Sequence, residues 1–375
     1  MRLVVLGLSL SSSWGNGHAT TYRALLSAFA ARGHDIVFLE RDQPWYAANR
    51  DLAVPDFCAL HLYPDVPSLD AWRDEVAAAD AVIVGSYVAG GVAVAEWVHR
   101  HARGVTAFYD IDTPVTLAKL AQGDHEYLSP ATIPLFDLYF SFTGGPTLRQ
   151  LERDYGAASA LPLYCSVDAS HYQPLDVPKR WDLTYLGTYS DDRQPTVQEL
   201  LIKPARARPH LRFAVAGPQY PAGIDWPANV ERIEHLPPAD HPAFYAASRA
   251  TLNVTRADMI RAGWSPSVRL FEAAACGTPI ISDHWPGLDE LFAPGREIVI
   301  ARTRDDVMRA LGDDLSSIGK GGRKVVLRGH TAKHRAAELE RDLRAAAGRK
   351  QTRSPHTAAQ ASGAEPKHAS DILAG

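Results

Sequence analysis

The stretch Trp264-Ser265-Pro266-Ser267-Val268-Arg269-Leu270-Phe271-Glu272-Ala273-Ala274-Ala275-Cys276-Gly277-Thr278-Pro279-Ile280-Ile281-Ser282 reads as loop, short helix, turn and buried strand. Ser265 suits the position before a helix, where its hydroxyl can accept from a free amide. Pro266 suits the first helical residue, since proline has no N–H to leave unpaired. The small residues Ala273 to Ala275 let such a helix lie close on a sheet. Gly277 ends it, and Pro279 opens an apolar strand.

On both sides of this segment, apolar strands alternate with helical stretches. Toward the C-terminus and just upstream the strand-like runs are Leu183–Gly187, Leu211–Gly217, Val230–Ile233, Thr251–Val254, Pro279–Ser282 and Glu297–Ile300. An earlier series comprises Leu3–Leu8, Ile36–Glu40, Phe57–Leu62, Ala81–Gly85, Val105–Tyr109 and Leu138–Phe142. Helical patterns fall near Gly17–Arg32, Leu69–Ala79, Val92–Arg103 and Pro146–Tyr155. Continuous apolar strands with intervening helices predict parallel sheets covered on both faces. The alternation breaks at His171–Arg180, where Pro174 and Pro178 make a plausible hinge.

The expected organisation is α/β, with two Rossmann-like, doubly wound domains facing each other across a cleft. They span residues 1–172 and 181–322, joined by a hinge at 173–180. A charged helix is expected over 323–348 and a disordered tail over 349–375.

Composition narrows the function classes. The chain has 375 residues, 46% hydrophobic and 22% charged, which is ordinary for globular domains. A net charge of −4 lacks the basic footprint of a nucleic-acid binder. No apolar run is long enough to span a bilayer, so no integral membrane segment is expected. Cys58, Cys165 and Cys276 are scattered, without metal spacing, and read as small buried hydrophobes. With no signal peptide apparent, the cytoplasm is the expected location.

The helix begun near Ser265 offers free backbone N–H groups and a partial positive charge to an anion such as a diphosphate. Arg269 adds a charged donor, and Glu272 follows three residues later on the same face. A carboxylate there suits the two hydroxyls of a ribose. The competing reading is a surface ion pair between Arg269 and Glu272, and spacing alone does not separate the two.

The run Ser-Pro-Ser-x-Arg-x-Phe-Glu-Ala-x-Ala-Cys-Gly-Thr-Pro resembles the nucleotide-sugar helix of GT-B glycosyltransferases, most of all their CgeB-like (spore-maturation) branch. The resemblance covers about Trp181 to Asp306 and includes Tyr185-Leu186-Gly187 with Arg193 following. It implies that Glu272 holds the donor ribose. It also implies that Gly187, Arg193, Ser265, Ser267 and Arg269 face the diphosphate. Glycogen-synthase-like retaining families carry a second glutamate eight residues before the ribose glutamate, and Trp264 occupies that position here. The resemblance therefore carries no stereochemical outcome.

In the first half, Ser11-Ser12-Ser13-Trp14-Gly15-Asn16-Gly17-His18 is similar to the glycine-rich loop of GT-B N-domains. His18 is a candidate general base, with Asp110 as its orienting partner. Equally, His18 could pack or cap a helix and Asp110 could cap a loop. Gly17 and Asp112 are candidates for contact with the acceptor or the sugar. Asp110-Ile111-Asp112 also spells an Asp-x-Asp metal motif. In GT-B enzymes a helix start and basic side chains take the metal's charge role, so no metal or other cofactor is expected beyond the nucleotide diphosphate-sugar co-substrate. Trp14, Trp45, Tyr46 and Tyr87 could offer aromatic faces, although such residues are more often core.

The expected activity is transfer of a sugar to an unidentified acceptor hydroxyl. Three rivals remain. Glu40 ends the second strand where a dinucleotide enzyme holds ribose, but Gly7, Ser9 and Ser12 do not spell the required G-x-G-x-x-G. A non-catalytic nucleotide-sugar or carbohydrate-binding protein would share the binding residues. A sugar-nucleotide epimerase would share the fold.

Overall fold

Leu3–Leu6 and Val82–Val84 are apolar at every position and almost wholly buried, as strands covered on both faces must be. The computed structural model describes residues 1–14 and 17–353. These residues form two parallel sheets. The first contains β1 (Arg2–Gly7), β2 (Asp35–Arg41), β3 (Ala59–Tyr63), β4 (Ala81–Gly85), β5 (Val105–Asp110), β6 (Leu138–Ser141) and β7 (Ala160–Pro162). Its spatial order is β3-β2-β1-β4-β5-β6-β7. The second contains β8 (Trp181–Leu186), β9 (Phe213–Ala216), β10 (Val230–Ile233), β11 (Ser248–Asn253), β12 (Ile280–Ser282) and β13 (Val299–Ile300). Its order is β10-β9-β8-β11-β12-β13. The architecture is α/β with two Rossmann-like sheets.

In each sheet the strand order reverses beside the first strand. β1 lies between β2 and β4, and β8 between β9 and β11. Connections leaving the two strands at such a point diverge to opposite faces and open a crevice at their C-terminal ends.

The strands fall within a few residues of the apolar runs. β7 was not anticipated: it is three residues long and ends in proline. The stretch near Leu69–Ala79 is a tight 3₁₀ turn over Pro67–Trp72 followed by a helix over Arg73–Ala78.

The C-terminal segment departs from a single helix over 323–348. One helix spans Ser316–Gly329, and a second spans Ala332–Arg353. Between them the chain crosses back to the first domain, where Thr331 bridges to Val167 and Ala332 N–H donates to Val167 O at 2.9 Å. Ala336, Leu339, Leu343 and Ala346 then join Leu25, Leu26 and Phe29 of the helix His18–Ala30 in one buried cluster. Arg32 and His34 pair with Glu340 at 2.6 and 3.2 Å. Periodicity locates a helix but not the domain it covers. The expected tail beyond residue 353 lies outside the described residues.

Candidate functional site

The loops after β1, β8, β9 and β10 meet the helix Val268–Ala275 around a cleft of about 570 Å³. Gly17 borders it from the first domain, and Gly187, Arg193, Arg269 and Glu272 border it from the second. A larger groove, about 750 Å³, lies beneath the C-terminal helix near Asp80, Gly104 and Lys350. It shares none of these residues, and its Lys350 is already bonded to Gly104 O and Asp137.

The helix starts two residues later than expected, with Ser267 at the N-cap position. Ser267 does not cap the first turn: its hydroxyl donates to Asn253 Oδ1 at 2.8 Å. Ser265 is buried and accepts from Thr143 Oγ of the first domain at 3.0 Å. It therefore serves the domain junction, and the cleft is lined from Val268 onward.

Arg269 and Glu272 are 9% and 4% exposed, which rules out the surface-pair reading. Arg269 donates to Leu186 O and Asn253 Oδ1 and lies over the Tyr185 ring at 5.1 Å. Arg193 donates to Ser190 Oγ and Thr188 O. All these acceptors are neutral, so two inward-facing guanidinium charges have no hydrogen-bonded carboxylate among the described residues. Burying an uncompensated charge is costly, and such a pair invites an anion. Gly187 is the reason a ligand can come close: a methyl group there would stand 2.7 Å from Tyr185 Oη and 3.0 Å from Arg269 Nη2. The Tyr185 hydroxyl is itself buried without a hydrogen-bond partner among the described residues.

Glu272 stands one turn deeper. Tyr245 donates to its Oε2 at 3.3 Å, and His241 Nδ1 lies 3.7 Å from the same oxygen. Burial would raise its pKa, but His241, then Tyr172 and Arg269, hold it below the usual carboxylate range. It is an ionised acceptor at neutral pH, as hydrogen bonding to a diol requires.

On the facing side, Glu40 is fully buried and accepts from Leu10 N at 2.6 Å, Ser11 N at 2.8 Å and Ser11 Oγ at 2.6 Å. The acid that a dinucleotide enzyme would use for ribose is here spent on anchoring the loop after β1.

His18 opens the helix His18–Ala30 and is 7% exposed. Burial lowers its pKa to about 4, so its ring is neutral at pH 7. Its Nδ1 has no hydrogen-bond partner among the described residues, and its ring meets Tyr87 edge-on at 5.3 Å. The expected Asp110–His18 hydrogen bond is not made. Asp110 instead accepts from Tyr139 Oη at 2.5 Å, Thr116 Oγ at 2.8 Å and Asp112 N at 3.2 Å. Burial raises its pKa to about 6 despite these donors. Asp112, at the N-cap of the helix Thr113–Ala121, is likewise raised to about 6, by burial and then by Asp110. Tyr87, whose ring meets His18, also acts on Asp112 and opposes its upward shift. Trp14 and Trp45 are each 53% exposed, whereas Tyr46 is buried.

Residues 193–341 match the profile of a family described as glycosyl transferase-like. The chain carries a glycosyl transferase-like domain. The match agrees with the resemblance read from Trp181–Asp306, and it contains Arg193, Arg269 and Glu272. No curated protein sequence matches the chain. In fold the chain is similar to sucrose-phosphate synthase from Thermosynechococcus elongatus, with a TM-score of 0.68 at 15% identity over 92% of this chain and 100% of that one. It is similar to Anabaena HepE in complex with UDP-glucose, with a TM-score of 0.66 at 12% identity over 92% and 100%. It is also similar to T4 phage β-glucosyltransferase, with a TM-score of 0.60 at 11% identity over 92% and 99%. These likenesses establish a GT-B fold.

Within the glycosyl transferase-like domain, three residues escaped the sequence reading. Asn253, at the end of β11, accepts from both Ser267 and Arg269 and fixes the start of the helix. Tyr245 and His241, from the helix His241–Ala246, orient Glu272. A polar residue ending an apolar strand was the available signal for Asn253. None marks Tyr245 or His241, which reach Glu272 only through the fold.

Proposed function

We propose that this protein is a glycosyltransferase that moves the sugar of a nucleoside diphosphate-sugar to an acceptor hydroxyl. The observation that carries this reading is the pair Arg193 and Arg269, bonded among the described residues to neutral acceptors, in one cleft with the ionised Glu272.

In this reading Glu272 accepts from the ribose hydroxyls. Arg193, Arg269 and the first amides of the helix Val268–Ala275 hold the diphosphate, with Gly187 giving clearance. Charge developing on the leaving diphosphate is stabilised by donors already in position, usually the largest electrostatic contribution. These cations take the role a metal would fill. The acceptor binds against Gly17 and Asp112. His18, neutral and with an Nδ1 that has no partner among the described residues, takes the acceptor's proton, while Asp110 holds the loop that carries Asp112. UDP-glucose is the first donor to try, because HepE is described in complex with it.

The test is incubation with UDP-, GDP-, dTDP- and ADP-sugars, measuring nucleoside diphosphate release, with Glu272→Ala as control. Release from one donor that falls at least about tenfold in the variant supports the reading. No release and no thermal shift with any nucleotide would favour the non-catalytic binding protein and remove the role given to Glu272.

A further inference from the structure

Arg256 follows β11 on a loop that is tightly held. Thr255 donates through N and Oγ to Asp283 at 2.8 Å each, and Asn253 Nδ2 donates to Ser282 Oγ at 2.9 Å. The Arg256 side chain is 41% exposed, yet its Nε is buried without a hydrogen-bond partner among the described residues. Its carboxylate neighbour, Asp192 Oδ2, lies at 3.7 Å, too far for a hydrogen bond. That oxygen already accepts from Ala257 N at 2.9 Å. Asp192 also accepts from Ser190 Oγ, which in turn accepts from Arg193 Nε at 3.0 Å. Arg193 and Arg256 therefore flank one carboxylate that hydrogen-bonds neither directly.

The three cations feel one another. Burial, then the charges of Arg269 and Arg256, hold the Arg193 guanidinium below the usual arginine range. Arg256 also acts on Asp112 of the first domain, where its charge opposes the upward shift. The helix Ala257–Ala262 that follows it packs against Thr113–Ala121 of the first domain. Arg256 thus shares Asp192 with the cleft residue Arg193, at the start of the helix that meets the first domain.

We propose that Arg256 is a third cation of the diphosphate site, engaging the leaving group where it faces the acceptor. This rests on the donor reading above. In the transfer, the bond from the sugar's anomeric carbon to the diphosphate oxygen breaks, and both electrons stay on that oxygen. The acceptor oxygen bonds to the carbon and gives its proton to the base. Negative charge thus grows on the diphosphate, and the exposed end of a guanidinium on a fixed loop, hydrogen-bonded to no carboxylate among the described residues, is there to receive it.

The experiment compares binding of UDP, GDP, dTDP and ADP, and of the matching bare nucleoside, to wild type, Arg256→Met, Arg256→Lys and Asp192→Asn by ligand-observed NMR titration. For the diphosphate that wild type binds, Arg256→Met should weaken affinity about ten- to a hundredfold. Nucleoside affinity should stay unchanged, which also reports an intact fold. Arg256→Lys should recover part of the loss, and Asp192→Asn should not weaken the diphosphate. Wild-type affinity in Arg256→Met, or equal loss of nucleoside and diphosphate, would overturn the proposal. So would an equal loss in Asp192→Asn, which would make Arg256 a structural tie. If wild type binds none of the four diphosphates, the donor reading itself fails and takes this one with it.

Discussion

The indole of Trp264 occupies the space that a side chain on Gly145 would need: a methyl group there would stand 2.5 Å from Trp264 Cδ2. On the other side of the ring, a methyl group on Gly287 would stand 2.5 Å from Cδ1. Trp264 has φ 44°, an unusual conformation for a bulky residue, held by Gly144 N donating to its carbonyl at 2.9 Å. The ring is thus a wedge between a first-domain loop and the second domain, at the position where the sequence comparison with glycogen-synthase-like families expects a glutamate. Gly145→Ala should cost about 1–3 kcal/mol, because the methyl overpacks the wedge and Gly145 itself has φ 58°. Thermal unfolding measures this, and an unchanged melting temperature would mean the wedge yields freely.

Glu40→Gln should destabilise the loop after β1. The amide oxygen can keep Leu10 N and Ser11 N, which share one carboxylate oxygen, but the NH₂ then replaces the oxygen that accepts from the Ser11 and Ser9 hydroxyls. The expected loss is about 1–3 kcal/mol. The same variant should leave the protein's response to NAD(H) unchanged, since Glu40 has no lone pair to offer a ribose. Chemical denaturation and a dinucleotide titration check the two halves.

Asp110 predicts a pH dependence of stability. Its folded pKa is raised from 3.8 to about 6. Between those values the folded chain keeps a proton that the unfolded chain releases, so stability rises as pH falls through 6. Relative to Asp110→Asn, wild type should gain about 1 kcal/mol between pH 7 and pH 5. Denaturant melts of both proteins at the two pH values give the difference. A gap that shrinks on acidification would have the wrong sign.

If Arg193, Arg269 and the helix start neutralise the diphosphate, EDTA should leave nucleoside diphosphate release unchanged. A fall of about tenfold or more, restored by Mg²⁺ or Mn²⁺, would show that a metal shares the task and would reopen Asp110-Ile111-Asp112 as its ligands.

Sequence made Glu272 and Arg269 legible because one helix carries both, and helical spacing fixes their relation before any tertiary contact forms. The strands were legible for a similar reason: burial on both faces writes unbroken apolar runs such as Leu3–Leu6. What could not be read were relations made across the fold. Ser265 looks like a cap, yet Thr143 draws it into the domain junction. His18 and Asp110 look like partners, yet Tyr139 and Thr116 occupy the carboxylate. Such competition between local and distant partners depends on packing, which spacing does not encode.

The helix Ala332–Arg353 lies on the first domain although it is made after the second. During synthesis, Leu25, Leu26 and Phe29 wait for their cover until the ribosome has passed Ala346. Cutting the chain in the 173–180 linker would therefore not yield two independent halves: the first would show a greasy flank, and the second would trail a homeless helix. It also means that two strands of chain cross between the lobes, at 173–180 and at 330–332. If the 173–180 segment serves as a hinge, the second crossing ties its motion at two points and resists twisting.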